Sequence, residues 1–250
     1  MRTMKNKKIK ATLSIVGYFL LVVALCFVAV FVFHSYYYES VYVSGASMYP
    51  TLNGNDNEKD GTIVDFGIVD GHKSAINHIK RFDIISTYYP DNYSGNVLKA
   101  SATKKIKRVI ALPGETFIIE NGELSIKEGD NFVKKSYSFK VSAVTTAKDT
   151  IADGKIEPIT LGEDEFWVLG DNRTNSTDCG SFNKPIKKEY ISGVLVAIEG
   201  TAKLKVKNYR CNECGKVFDV RYKSCDRCGS WYFTAQYKLV DKNYSWPKFF

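Results

Sequence analysis

The sequence predicts a mainly β protein: one N-terminal transmembrane helix, a β-rich body, and a small cysteine-bearing unit at the C-terminus. Three observations carry that expectation. Residues 11–34 are almost wholly apolar behind a basic tail. The body, residues 35–200, breaks into short β-branched runs separated by Asn, Asp, Gly and Pro, with no long amphipathic helical period. Beyond it, in residues 201–250, four of the six cysteines form two C-x-x-C-Gly knuckles.

The 250 residues suffice for one sizeable domain, an anchor and an appendage. The formal net charge is +8, which raises nucleic acid or an anionic membrane as partner. Arg2, Lys5, Lys7, Lys8 and Lys10 lie in residues 1–10 with no acidic neighbour, and the remaining 240 residues carry 30 basic and 27 acidic side chains. The basicity therefore reads as a cytoplasmic tail, and nucleic acid is not expected as a partner. About twenty apolar residues cross a bilayer core at ~1.5 Å per residue. The stretch 11–34 meets that length, interrupted only by small or weakly polar Thr12, Ser14, Gly17 and Tyr18. Tyr36, Tyr37 and Tyr38 follow where headgroups favour tyrosine, so the N-terminus is expected inside the cell and the body outside. A cleaved signal peptide begins with a similar basic region. Here the apolar core is too long, and no small-x-small cleavage site follows directly, so a retained anchor in the cell membrane is the better reading. Cys26, inside the span, reads as a small hydrophobe.

Along the body, residues 39–43 read as a short strand and 53–61 as a polar loop. Residues 62–66 and 82–86 are strands around an irregular stretch that holds His72 and His78. A longer strand covers 103–112 and stops at Pro113-Gly114, and 117–126 is a hairpin turning at Asn121-Gly122. Residues 127–160 fit an elaborated loop or weak hairpin. Strands at 165–169 and 190–199 complete the body, the first running into the Gly170-Asp171 turn, and 200–208 reads as a link to the C-terminal unit.

The chemistry concentrates in three runs. Ser44-Gly-Ala-Ser-Met-Tyr-Pro-Thr-Leu52 sets Ser47 in a small-residue turn just beyond the anchor. A serine hydroxyl is a weak nucleophile and needs a base, and His34, His72 and His78 have no triad context. Lysine can serve if burial leaves its amine neutral. Lys107, in Ile106-Lys-Arg-Val-Ile-Ala-Leu-Pro-Gly-Glu115, shares a strand face with Val109, while Arg108 points the other way toward solvent or an acidic partner. The third run, Gly170-Asp-Asn-Arg-Thr-Asn-Ser-Thr-Asp178, supplies a polar turn. Taken singly, a strand lysine is more often an exposed edge residue and a Ser-Met-x-Pro turn ordinary loop structure. Their joint, ordered occurrence behind an anchor changes the weighing.

Together these runs resemble the bacterial type I signal peptidases, serine/lysine proteases that cut signal peptides from exported proteins. The resemblance covers the span to about Gly200. It implies a signal-peptidase-like β fold, Ser47 as nucleophile and Lys107 as base, with no cofactor for catalysis. It also implies an acyl-enzyme, cleavage after small residues, preprotein signal peptides as substrates, and a groove that takes them as an extended strand. Ser176 and Asp178 match the family's polar turn, where the serine bonds the lysine and the aspartate braces the site. The backbone N–H of Ser47 is a candidate oxyanion donor. Some relatives add a serine hydroxyl where this chain has Gly45, and many carry Ser-Arg where it has Cys179-Gly180, so an arginine partner for Asp178 is missing at the usual place. Cys179 has no histidine partner and reads as structural. The eukaryotic-type branch uses histidine where Lys107 stands.

Cys211, Cys214, Cys225 and Cys228 suit tetrahedral Zn²⁺, as in a zinc ribbon, with Tyr209, Phe218 and Trp231 nearby for a small core that the metal would compensate. Two disulfides are the alternative, since the unit is expected outside the cell, and a rubredoxin-like iron site follows. The unit's task reads as structural or as docking a partner that the sequence does not identify. The function expected is a membrane-bound serine endopeptidase acting on preproteins; the alternative is a membrane-tethered zinc-ribbon scaffold without catalysis. A self-cleaving repressor-like protease lacks a DNA-reading segment and has no reason for an anchor.

Overall fold

The computed structural model describes residues 2–53, 62–89, 103–141, 151–152, 155–231 and 233–250, in two compact units, Met1–Glu39 and Ser40–Phe250. The first unit is helix α1 (Arg2–Tyr37). Its segment Ser14–Phe33 has a mean hydropathy of 3.0, long and apolar enough to cross a membrane, and side chains such as Phe27 and Phe31 point outward.

The second unit is built of strands. They are β1 (Tyr38–Val43), β2 (Thr62–Asp70), β3 (Ile84–Tyr89), β4 (Thr103–Ala111), β5 (Thr116–Glu120), β6 (Glu123–Glu128), β7 (Asn131–Lys135), β8 (Ile151–Ala152) and β9 (Lys155–Ile156). There follow β10 (Ile159–Thr160), β11 (Glu165–Leu169), β12 (Ile186–Lys187), β13 (Ile191–Cys211), β14 (Val217–Phe218) and β15 (Phe233–Phe249). Two short helices, α2 (Lys73–Asn77) and α3 (Cys179–Phe182), are the only α-helices of this unit among the described residues. The stretch expected to be irregular therefore contains a helical turn, α2, started by His72, whose Nδ1 accepts from Ser74 N at 3.0 Å.

The larger sheet runs β1-β2-β13-β3-β4-β11-β12, with β14 and β15 also on β13. A second sheet, β10-β5-β6-β7, packs over it. Between them Phe117, Ile119, Leu124 and Ile126 from the second sheet meet Ile85, Val109, Trp167 and Leu169 from the first, all nearly water-free. The hairpin turn at Asn121-Gly122 is present, with Glu120 opposite Glu123. The stretch 127–160 contributes β7 and β10 to this sheet; its residues 142–150 and 153–154 lie outside the described residues.

The expected link at 200–208 is ordinary strand. β13 continues through Gly200, pairing with β2 along Val194–Leu204 and with β15 from Ala197 to Cys211. β15 returns along that ladder until Phe249 stands opposite Ala197. The C-terminal segment is thus hydrogen-bonded into the main sheet as a long ribbon carrying the cysteines at its tip. Residues 201–250 carry eleven Lys/Arg against four Asp/Glu, so the basicity is shared between the tail and this ribbon rather than confined to the tail.

Candidate active site

The turn after β1 is fixed by burial of the residue next to Ser47. Met48 and Leu52 are each 1 % exposed and pack with Val43, Val69, Ile84 and Leu195. Buried Val43 before a half-exposed serine and Met48 and Leu52 after it let hydrophobic burial hold the hydroxyl at the surface. Gly45 has φ +92°, a conformation L side chains rarely adopt, so this turn suits a glycine.

Polar groups complete the grip. The Asn172 backbone N–H donates to the Ser47 carbonyl at 3.0 Å, and its Nδ2 donates to the Ala46 carbonyl at 3.0 Å. Asn53, 5 % exposed and in a left-handed conformation at φ +58°, donates from Nδ2 to the carbonyls of Val43 (2.5 Å) and Gly45 (2.9 Å). Its own position is set by a reciprocal pair with Asp65: Asn53 N donates to Asp65 Oδ2 at 2.7 Å, and Asp65 N donates to Asn53 Oδ1 at 2.7 Å. In the sequence Asn53 opens a polar loop, and a lone asparagine there carries no signal of this role.

Lys107 comes from β4, whose pairing with β3 sets it opposite Ile85. It is 2 % exposed, and its amine reaches Ser47 Oγ at 2.9 Å and the Ile106 carbonyl at 2.9 Å. A buried lysine whose amine meets the Ser47 hydroxyl can accept that proton when the amine is neutral. Ser47, Lys107 and Ser176 line one groove of about 340 Å³, with Tyr42, Ala46 and Lys105.

Arg108 points the other way and finds its acid in Asp171. Nε donates to Asp171 Oδ1 at 2.8 Å and Nη2 to Oδ2 at 2.6 Å, a two-pronged pair 6 % and 1 % exposed. Thr51 Oγ1 donates to the same carboxylate at 2.5 Å, and the guanidinium stacks 3.7 Å from the Phe139 ring centroid. Asp171 thereby ties the strand bearing Lys107 to the turn bearing Ser47. Asp171 is the acidic partner that strand alternation leaves open for Arg108; nothing local in the sequence singles it out.

Asp178, fully buried, serves the backbone: Oδ2 accepts from Gly170 N at 2.9 Å, and Oδ1 accepts from Gly180 N at 3.2 Å at the start of α3. Gly170 is required by close approach. A Cβ there would lie well inside 3.0 Å of both Ser176 Oγ and the Ser47 carbonyl oxygen. That contact brings Ser176 against the nucleophile's turn. Cys179 is buried, its Sγ accepting from Val168 N at 3.3 Å, a packing role as expected from the sequence.

At the ribbon tip the Sγ atoms of Cys211, Cys214, Cys225 and Cys228 lie within 4.8 Å of one another. Sγ–Sγ separations of 3.5 Å for Cys211–Cys228 and for Cys214–Cys225 are contacts between free thiols, too long for disulfide bonds at ~2.05 Å. Each knuckle is closed by its own backbone: Gly215 N donates to Cys211 O at 3.0 Å, and Gly229 N to Cys225 O at 2.8 Å. The backbone N–H of Cys214 pulls the Cys211 thiol down to about 6. For Cys228 a Ser230 backbone bond favours the thiolate, but burial and the neighbouring thiols outweigh it and push the group up to about 12. Cys228 thus resists a negative charge beside its neighbouring thiols, and a divalent cation would remove that resistance.

The family profile described as "Signal peptidase, peptidase S26" matches residues 15–198. Signal peptidase I P of Bacillus subtilis subsp. natto is 28 % identical over 166 residues, 65 % of this chain and 79 % of the relative. Signal peptidase I S of Bacillus subtilis strain 168 is 26 % identical over 192 residues, 76 % of this chain and 91 % of the relative. A crystal structure of a signal peptidase I from Enterococcus faecalis V583 aligns at 29 % identity, covering 47 % of this chain and 96 % of that one, with a TM-score of 0.33.

Proposed function

The chain belongs to the signal peptidase family, peptidase S26, and on that premise we propose that it removes signal peptides from preproteins with Ser47 as nucleophile and Lys107 as base. It is a membrane-bound serine peptidase, a hydrolase. The reading of the residues rests above all on the 2.9 Å approach of Lys107 Nζ to Ser47 Oγ within an open groove. The neutral amine takes the hydroxyl proton as Oγ attacks the carbonyl of the last signal-peptide residue. The proton passes to the departing amine of the mature protein, leaving an ester on Ser47. Water, deprotonated by the same amine, then cleaves that ester. The N–H of Ser47 is the oxyanion donor in this scheme; Gly45 brings no side chain to the task. Ser176 and Asp178 support the site, Ser176 beside the dyad and Asp178 through the Gly170 backbone. Family membership favours the enzyme over the non-catalytic scaffold.

In this reading the N-terminus is cytoplasmic, residues 11–34 cross the bilayer and the peptidase body, 35–200, lies outside, an orientation the basic tail supports. Residues 201–250 are a zinc-ribbon-like unit in which Cys211, Cys214, Cys225 and Cys228 hold one Zn²⁺ as a structural cross-link; four convergent sulfurs at non-disulfide separations support this. The test is cleavage of a labelled preprotein by the reconstituted full chain, with Ser47→Ala and Lys107→Ala as comparison. Cleavage after a small residue, lost in both folded variants, is expected; cleavage surviving either substitution would mean other residues do the chemistry.

A further inference from the structure

The C-terminal strand reaches the wall of the groove through one lysine. Lys242 on β15, paired opposite Ala202 of β13, sends its ammonium into a cage of three rings. Its Nζ lies 4.7 Å from the Phe66 centroid, 5.4 Å from Tyr42 and 5.9 Å from Tyr244. The rings brace one another: Phe66 meets Tyr244 edge-on at 5.2 Å and Tyr42 at 6.3 Å. Phe66 is fully buried in the small core of Val64, Ala202 and Leu204, so the floor of the cage is rigid. Tyr42, from β1 at the edge of the sheet, is half-buried where Tyr244 is 66 % exposed, and it also lines the groove that holds Ser47 and Lys107.

We infer that Lys242 is a positioning residue for the peptidase groove: held over Phe66 and Tyr244, it fixes the Tyr42 ring and with it the groove wall met by an extended peptide. The inference rests on reading that groove as the cleavage site. The geometry is specific to the C-terminal ribbon, which lies beyond the residues matched to the family. Among the described residues β1 is the last strand of its sheet, with a neighbouring strand beside Tyr42 on one side. A strand so placed gains order from any clamp across its face. A cation over three ring faces supplies that clamp, and a hydrogen bond with the Tyr42 side chain, with charge from Glu199, raises the Lys242 pKa above its ordinary 10.5. A group whose folded pKa is raised keeps its stabilising effect below the unfolded value, so the clamp is intact across any neutral or mildly alkaline assay.

The test compares full-length wild type, Lys242→Met and Lys242→Arg in detergent. It measures kcat and KM on a signal-peptide-derived substrate, and backbone hydrogen exchange of the segment 41–44. Methionine keeps length and apolar contact but drops the charge. It is expected to raise KM about three- to tenfold, the size of one partly desolvated cation–ring contact, with kcat within about twofold and faster exchange at 41–44. Arginine, which keeps a cation for the cage, is expected to restore most of both. Unchanged KM and exchange in a folded Lys242→Met protein would overturn the inference. So would a drop in melting temperature with KM unchanged, which marks a merely structural contact. If wild type itself cleaves nothing, the peptidase reading fails instead, and the exchange of 41–44 alone decides whether the clamp exists.

Discussion

Lys107 Nζ lies 2.9 Å from Ser47 Oγ, though sixty positions separate the two residues in the chain. Each reaches that meeting by a different route: Ser47 by the buried plug of Met48 and Leu52, Lys107 by the register of β4 on β3. The contact is direct, and 2 % exposure leaves the amine little water to compete for the proton.

If the amine must be neutral to act, kcat/KM falls as pH drops. A base is active above its pKa and lost below it, so the acid limb should show one ionisation. Lys107→Ala is expected to lower kcat by about 10³-fold or more, and Lys107→Arg should not rescue it, because guanidinium does not deprotonate in proteins. A flat profile to acidic pH, with chemistry shown to be rate-limiting, would dismiss a lysine base.

Gly170→Ala is the most economical probe of the site's packing. The new methyl would overlap Ser176 Oγ and the Ser47 carbonyl, both parts of the serine's support. Misplacement of a reacting group by about 1 Å costs on the order of 10²-fold. A loss of that size in kcat with a small change in melting temperature is expected; wild-type kinetics would mean the turn moves aside freely.

The Arg108–Asp171 pair should matter more for the fold than its distance from the hydroxyl suggests. Asp171→Ala leaves the guanidinium 6 % exposed without its carboxylate, a loss of about 3–5 kcal/mol for a pair this buried. Replacing both, as Arg108→Met with Asp171→Leu, should recover much of that in denaturant unfolding. A single variant as stable as wild type would show that the pair is better solvated than its burial indicates.

One zinc per chain is expected in purified protein by elemental analysis, and Cys225→Ser should abolish it. Stripping the metal should lower the melting temperature of the ribbon and expose four titratable thiols at the tip. Protein that binds no metal and has no free thiols at these positions would favour the two-disulfide alternative.

Much of this was legible in the chain. The apolar span, the hairpin at Asn121-Gly122, the Cys knuckles and the strands around Ser47 and Lys107 rest on short-range period and turn chemistry, which neighbouring residues suffice to set. The opposite faces of Lys107 and Arg108 follow from the two-residue alternation of a strand. The link expected at 200–208 was misjudged: its alternation of Lys with small and apolar residues is that of a strand, but only pairing with β2 and β15 makes it one.

By itself, then, the sequence determined the anchor, the β-rich class and the residue types able to carry serine/lysine chemistry, because each depends on groups within a few positions of one another. Only the tertiary structure decided which groups stand together. Asp171 takes Arg108, Asn53 and Asn172 hold the serine turn, and Lys242 crosses to Tyr42. Those choices depend on sheet register and on which polar atoms burial leaves in need of a partner. Both are settled by strands far apart in the chain, and no local pattern records them.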